Sequence, residues 1–366
     1  MKKIIFVLML ILNVLWVFAQ DAQKQNFYVG TYTNEGARGI YLCYFDNISG
    51  AISLLETFKG IDNPSFLKIT KDKRFLYTVT EKQEGYVSAY QIDKSGKLKF
   101  INKQISNGSG PCQVDVSGDG KFVAVANYGG GSTALYKIAE NGGLFPAVSV
   151  IKNSGSSVNK SRQNKPYAHS IKFSPFSNEV FSADLGTDQL NIYHLENDKL
   201  IQNGQKYAKT EPGSGPRHFD FHPDGKTIFV INELNSTITT FKKKDGTWEN
   251  FQSISTLPAG FKGVSYCADI HISKDGKYLY GSNRGHNSIA VFEIDNETKN
   301  LKPAGFVSVE GDWPRNFAIS PDGNFLLVAN QRSGNITVFK INKDTGMPVF
   351  TGKEIKIPAP VCIEFL

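Results

Sequence analysis

Gly215-Pro216-Arg217-His218-Phe219-Asp220-Phe221, then His222-Pro223-Asp224-Gly225-Lys226, then Ile228-Phe229-Val230-Ile231-Asn232-Glu233: the reading of this 366-residue chain turns on that stretch. It starts at a proline and alternates apolar and polar residues as a half-buried strand does. It then turns at Asp-Gly and returns through a more apolar strand that ends in Asn. The same order recurs from Pro64, Pro111, Tyr167, Cys267 and Pro314. In five of the six copies the second strand closes 16 positions after the start, as from Pro216 to Asn232 or from Pro314 to Asn330. From Tyr167 to Asp184 the interval is 17. Asp119-Gly120, Asp224-Gly225, Asp275-Gly276 and Asp322-Gly323 supply residues that tolerate left-handed backbone, as hairpin turns require. A third alternating strand follows each second one, as over Ser288 to Ile294, and then a fourth, as over Phe306 to Val309. Four short strands in each repeat of roughly fifty residues, with no helix-period segment between them, describe propeller blades.

The two ends complete the count. Pro360-Val361-Cys362-Ile363-Glu364-Phe365 reads as a first strand without its hairpin partner, and Phe27-Tyr28-Val29-Gly30-Thr31-Tyr32 reads as a second strand without its first. Joining them leaves no sheet edge unpaired at the seam. The expectation is therefore an all-β, seven-bladed β-propeller over residues 21–366, one blade being closed by N- and C-terminal strands. A pair of β-sandwiches explains neither the fixed spacing nor the complementary ends.

Residues 1–20 stand apart. Lys2 and Lys3 precede an apolar run from Ile4 to Phe18, and Ala19-Gln20-Asp21 turns polar, the pattern of a cleaved secretory signal. The run is shorter than the roughly 18 residues of a spanning helix, and nothing beyond Asp21 could cross a bilayer as one. The mature chain is expected to be exported, periplasmic or secreted, with no membrane span after cleavage and as a monomer. Loss of Lys2 and Lys3 takes two from the formal charge of +7, leaving +5. That excess is scattered, so a nucleic-acid partner is not expected, whereas a small anion is. Cys43, Cys112, Cys267 and Cys362 have no metal-ligand spacing and read as small buried hydrophobes; no metal or cofactor is expected.

Antiparallel pairing sets the start of each first strand beside the end of each second, so these positions from all blades should gather at one mouth of the channel. Arg217, Arg284 and Arg315 then form a binding point for carboxylate or phosphate, because guanidinium groups fork onto oxyanions. His169 and Glu233 beside them supply groups that move protons. His218, His286 and Asn330 join the substrate-binding set, although His218 also suits packing between blades and Asn330 the ordinary role of a turn former. Asp269 and Asn316 suit bracing between blades, and His194, His222 and His271 read as structural. There is no G-x-S-x-G elbow, P-loop or H-E-x-x-H motif, and Gly129-Gly130-Gly131 has no helix after it.

The chain resembles the propeller-type lactonases, the family of certain 6-phosphogluconolactonases and of fungal carboxy-muconate lactonising enzymes. The matching segments are Tyr28-Val29-Gly30-Thr31-Tyr32-Thr33, Ala168-His169-Ser170, Gly215-Pro216-Arg217-His218, Asn232-Glu233-Leu234, Ala268-Asp269-Ile270-His271, Ser282-Asn283-Arg284-Gly285-His286, Trp313-Pro314-Arg315-Asn316-Phe317 and Ala329-Asn330-Gln331. The resemblance covers essentially the whole mature chain. It implies a hydrolase that opens a sugar-acid lactone, with His169, Arg217 and Glu233 as catalytic residues and a small anionic lactone as substrate. Arg332, where an acidic or neutral residue is expected, and the export signal depart from the family pattern. The alternatives are the reverse chemistry, lactonisation of a muconate-type dicarboxylate, and a non-catalytic propeller that binds a glycan or protein.

Overall fold

The computed structural model describes residues 24–366; the leader expected at 1–20 lies outside the described residues. The described chain folds into seven radial sheets and, apart from a 3-10 turn at Thr33–Glu35, is built of strands. No helix among them is long and apolar enough to cross a membrane. Blade 1 joins the two ends, in the order Pro360–Phe365, Lys24–Thr31, Gly39–Asp46 and Ile52–Lys59. Blades 2 to 7 begin with Leu67–Ile69, Pro111–Val116, Ala168–Phe173, Pro216–Phe221, Tyr266–Ile272 and Pro314–Ile319.

The constant interval seen in the sequence is hairpin register. Pro111 faces Asn127, Pro216 faces Asn232, Cys267 faces Asn283 and Pro314 faces Asn330. Ala168 faces Asp184, which keeps the same 16-residue interval in blade 4 and absorbs the extra position counted from Tyr167. The turns between these strands place Gly120, Gly225, Gly276 and Gly323 at φ of 71°, 68°, 73° and 73°, left-handed values that glycine adopts freely.

Two blades depart from the plan. The inner strand of blade 2 covers only Leu67–Ile69, because the Pro64 carbonyl accepts the Thr31 N–H of blade 1 and leaves its own hairpin. In blade 4 two short strands, Lys199–Ile201 and Tyr207–Lys209, share the outer edge of Gln189–Glu196 in place of a single fourth strand.

Burial explains the composition of each strand. Second strands such as Phe122–Asn127 and Phe325–Asn330 are buried along their whole length, because neighbouring blades pack on both faces. Outer strands such as Ile52–Lys59 are mostly open to water and carry the polar residues. Aromatic rings wedge between blades, as where Phe45 of blade 1 meets Phe325 of blade 7 edge to face at 5.3 Å. The four cysteines are buried and free.

Polar side chains on the inner strands also tie each blade to the next. The Ile171 N–H donates to Gln113 Oε1 at 2.5 Å, the Ile272 N–H to Asp220 Oδ2 at 3.1 Å and the Ile363 N–H to Asn316 Oδ1 at 2.7 Å. Asn316 Nδ2 in turn donates to Asp269 Oδ2 at 2.5 Å, so this side chain links blades 6, 7 and 1. Replacing Asn316 by Ala strands the Ile363 donor and leaves Asp269 Oδ2 to His271 and the Phe317 N–H; a buried unsatisfied group costs about 1–3 kcal/mol. Asn316→Ala is expected to lose about 1–3 kcal/mol, measured by urea unfolding, and Asn316→Asp at least as much, because it keeps the acceptor for Ile363 but sets a second carboxylate against Asp269.

Candidate functional site

The inner strands of blades 3, 4, 5 and 7 each carry a bulge one residue after the start. The ladder skips Cys112 between Pro111 and Gln113, His169 between Ala168 and Ser170, Arg217 between Pro216 and His218, and Arg315 between Pro314 and Asn316. A bulge leaves the extra residue unpaired and re-aims its side chain. The residue after each second strand is held in a matching way. The Glu233 N–H donates to the Gly215 carbonyl at 2.7 Å, the Tyr128 N–H to Gly110 at 2.8 Å and the Glu81 N–H to Asn63 at 3.1 Å. Bulged residues and strand-end residues meet around one cavity of about 310 Å3. Its wall includes His169, Glu233, Arg284, Arg315, Arg162 and Tyr128.

Glu233 is the electrostatic centre. Its Oε1 accepts from Arg162 Nη2 at 2.6 Å, and its Oε2 accepts from Arg284 Nη2 at 2.8 Å and Arg217 Nε at 3.1 Å. Burial alone pushes the carboxyl pKa up, but Arg284, Arg217 and Arg162 outweigh it and hold the group at about 2. Arg217, 1 % exposed, lies beneath Glu233, where Nη1 also donates to the Ala268 carbonyl at 2.5 Å. Burial, then Arg284 and Arg315, pull the Arg217 pKa down to about 9, which leaves it charged at neutral pH.

Arg315 is paired differently. Its Nη2 donates to the Tyr32 hydroxyl at 2.7 Å, and Tyr32 donates to Glu81 Oε2 at 2.8 Å. A neutral phenol therefore stands between this guanidinium and the nearest carboxylate, and the charge stays directed at the cavity. Trp313, also in the wall, has φ of 67°, a strained value for a bulky residue; its N–H donates to Asn287 Oδ1 at 3.0 Å. The Arg284 guanidinium lies 5.4 Å and that of Arg332 3.4 Å from its ring centre.

His169 is 5 % exposed and packs edge to face on Tyr128 and on His218, each at 5.3 Å. Burial first, then the charge of Arg217 and the His218 ring, lowers its pKa well below the ordinary imidazole value. The ring is neutral at pH 7. Nδ1 lies 3.9 Å from the Cys112 thiol, and Nε2 has no hydrogen-bond partner among the described residues. His218 sits deeper, with Nδ1 2.7 Å from Asp269 Oδ1 and Nε2 3.3 Å from Arg217 Nη1. That network assigns the proton to Nδ1, and burial and Arg217 lower the His218 pKa to about 4.

The cavity brings together His169, Glu233, Arg284 and Arg315. Arg217 and His218 lie one layer below. His286 and Asn330 lie outside it: His286 Nδ1 contacts Ser288 Oγ at 2.6 Å and its ring packs on Phe261. Asn330 is fully buried and donates to the Val309 carbonyl and to Thr337 Oγ1. Asp269 braces blades 5 to 7 through His218, His271 and Asn316. Sequence reading did not pick out Arg162, which comes from the irregular segment 153–167 between blades 3 and 4. The only signal was that this connection is longer than the others and carries a single arginine.

A histidine whose pKa is lowered on folding takes up protons first in the unfolded chain. Below the ordinary value near 6.5, the unfolded state therefore gains protons that native His169 and His218 refuse, and stability falls with pH by about 1.4 kcal/mol per unit per group. The midpoint of thermal unfolding should drop from pH 7 to pH 5, and drop less steeply in His169→Gln. An equal slope in the two proteins would contradict a neutral, buried His169.

Comparison with known proteins matches the same features. The profile described as "Lactonase, 7-bladed beta-propeller" matches residues 26–365. The 6-phosphogluconolactonase of Bacillus subtilis (strain 168) is 37% identical over 343 residues, 93% of this chain and 97% of that one. The 6-phosphogluconolactonase of Formosa agariphila is 36% identical over 80% of this chain and 85% of its own length. The solved structure of the periplasmic gluconolactonase of Pseudomonas aeruginosa superposes with a TM-score of 0.88 at 31% identity, covering 94% of this chain and 99% of the other.

Proposed function

We propose, from the premise that the chain belongs to the seven-bladed β-propeller lactonase family, that it hydrolyses a phosphorylated sugar-acid lactone, of which 6-phosphogluconolactone is the type. The observation that carries this reading is the charge of the cavity. The guanidinium groups of Arg162, Arg284 and Arg315 line it against the carboxylates of Glu233 and Glu81, an excess of one positive charge from three against two, and buried Arg217 lies beneath. A phosphate monoester carries about −1.5 to −2 at pH 7 and is drawn to that positive wall, whereas an unphosphorylated sugar lactone carries no charge. The cavity volume suits one small ring.

His169 is the general base in this reading. Its Nε2 is free and its ring neutral, while both oxygens of Glu233 are paired to arginines that hold its pKa at about 2, too low for a base. A water held by Nε2 loses its proton to the ring as its oxygen attacks the lactone carbonyl. Arg315, whose charge no carboxylate cancels, receives the developing oxyanion. The carbon–oxygen bond of the ring then breaks, and the leaving alkoxide takes the proton back from His169. Glu233 keeps Arg162, Arg217 and Arg284 aligned, and Arg217 serves through Glu233. Basic residues 2 and 3 before an apolar run support export by a cleaved leader, and a site drawn from one chain supports a monomer; N-terminal sequencing of the mature protein and light scattering test these two points.

His169→Ala should reduce kcat by about 10² to 10⁴ without unfolding the protein, and Arg315→Gln, which removes the oxyanion donor, should reduce kcat by about 10² to 10³ for the phosphorylated lactone and for glucono-δ-lactone alike. Both are read by pH-stat with spontaneous hydrolysis subtracted. Because the base is neutral well below pH 6.5, kcat at saturating substrate should show no midpoint near that value. A full titration of kcat centred there, or equal turnover of neutral and phosphorylated lactones, would overturn this reading.

A further inference from the structure

The segment 153–167 is the longest connection between blades, and two buried carboxylates hold it: Asp184 accepts from Asn153 Nδ2 and the Tyr167 N–H at its two ends, and Asp188 holds its middle. Asp188, on the turn after the second strand of blade 4, is buried at φ of 55° and has no cation within salt-bridge range among the described residues. Four neutral donors surround it instead. Oδ1 accepts from Gln163 Nε2 and from the Gly215 N–H, each at 2.7 Å; Oδ2 accepts from Ser157 Oγ at 2.5 Å and the Gly213 N–H at 2.7 Å. Gln163, fully buried, also donates to the Leu185 carbonyl at 2.9 Å and so locks the segment to blade 4.

Those partners are the immediate neighbours of the site. Gln163 follows Arg162, whose Nη2 reaches Glu233. Gly215, at φ of 66°, accepts the Glu233 N–H on its carbonyl and stands two residues before Arg217. One carboxylate thus fixes the backbone beside three of the charges that meet at Glu233. Arg162 differs from the other two arginines on Glu233 in its outlook. Its side chain is 36% exposed against 2% for Arg217 and 6% for Arg284, and it lines the cavity. Its Nε and Nη1 make no hydrogen bond among the described residues.

We infer that Arg162 is a substrate-contacting residue, presenting Nε and Nη1 to the anionic group of the ligand while Nη2 stays on Glu233, and that Asp188 is its positioning residue. The inference rests on the lactonase reading and deepens it, since it names a clamp outside the propeller's own strands. A neutral amide at 188 would put a donor against donors, loosening the segment and the Gly215 turn together. Loss of a hydrogen bond between charged groups costs about 1.5–3 kcal/mol, roughly tenfold to a hundredfold in affinity.

The experiment measures kcat and KM for 6-phosphogluconolactone, and calorimetric affinity for its ring-opened product 6-phosphogluconate, in the full chain. Arg162→Gln should weaken product binding tenfold to a hundredfold and raise KM, with less effect on kcat. Added guanidinium ion should restore part of the loss in Arg162→Ala but none in Asp188→Asn, where the arginine is present and misplaced. Asp188→Asn should lose affinity to a similar extent, and the double variant Asp188→Asn/Arg162→Gln should be no more than about threefold weaker than Arg162→Gln alone. If Asp188→Asn does not fold, Ser157→Ala, which removes one donor, should show the same coupling at smaller size. Wild-type affinity and KM in Arg162→Gln overturn the clamp, and independent, multiplying losses in the double variant overturn the positioning role. A wild-type chain that opens no lactone yet binds 6-phosphogluconate through Arg162 sinks the lactonase reading and keeps the clamp.

Discussion

Glu233 is ionised where water barely reaches it, and three arginines from three separate parts of the ring keep it so. A buried charge without partners costs several kcal/mol, and so does a buried guanidinium, so neither side of this cluster is stable without the other. Arg162 comes from the connection before blade 4, Arg217 from blade 5 and Arg284 from blade 6. Their convergence requires the blades to stand at fixed angles around the axis. The site is thus a consequence of ring geometry, and the cluster in turn links neighbouring blades at the mouth, above the Asp269 braces deeper in the channel wall.

The bulge after the start of blades 3, 4, 5 and 7 converts a repeated scaffold into a site. Regular pairing would turn the residue at that position onto one flat face of its blade. Left unpaired and re-aimed, Cys112, His169 and Arg315 line the cavity and Arg217 reaches Glu233. The same backbone device holds a thiol in blade 3, an imidazole in blade 4 and guanidinium groups in blades 5 and 7. Chemistry here is chosen by side chain while the main chain stays constant.

The propeller could be read from the chain because its signal is periodic: the 16-residue interval is the hairpin register, and the unmatched ends are the two halves of blade 1. The meeting of His169, Glu233, Arg284 and Arg315 followed from that register alone. Arg162 could not be read so, because segment 153–167 obeys no period and its path is set by the buried Asp184 and Asp188, residues that look like ordinary turn formers. Asn330 and His286 show the converse. Both stand at or beside the correct register position, yet the Val309 carbonyl and Ser288 hold them out of the cavity. Register says which end of a strand a residue occupies; local hydrogen bonds decide where its side chain goes. Arg332, where an acidic or neutral residue was expected, has its guanidinium 3.4 Å from the centre of the Trp313 ring and is not among the residues that line the cavity.

The seam in blade 1 also governs the order in which the molecule can be made. Of the propeller's strands, Lys24–Thr31 is made first and its inner neighbour, Pro360–Phe365, last; five register positions with a bulge after Gly30 join them, and nearly the whole ring lies between. Until that strand arrives, Ile363 is missing from the cluster in which Phe27 and Val29 of blade 1 meet Phe325 and Leu327 of blade 7. Ring closure therefore waits for the last of the propeller's strands, and the nascent propeller remains an open arc through almost all of its synthesis.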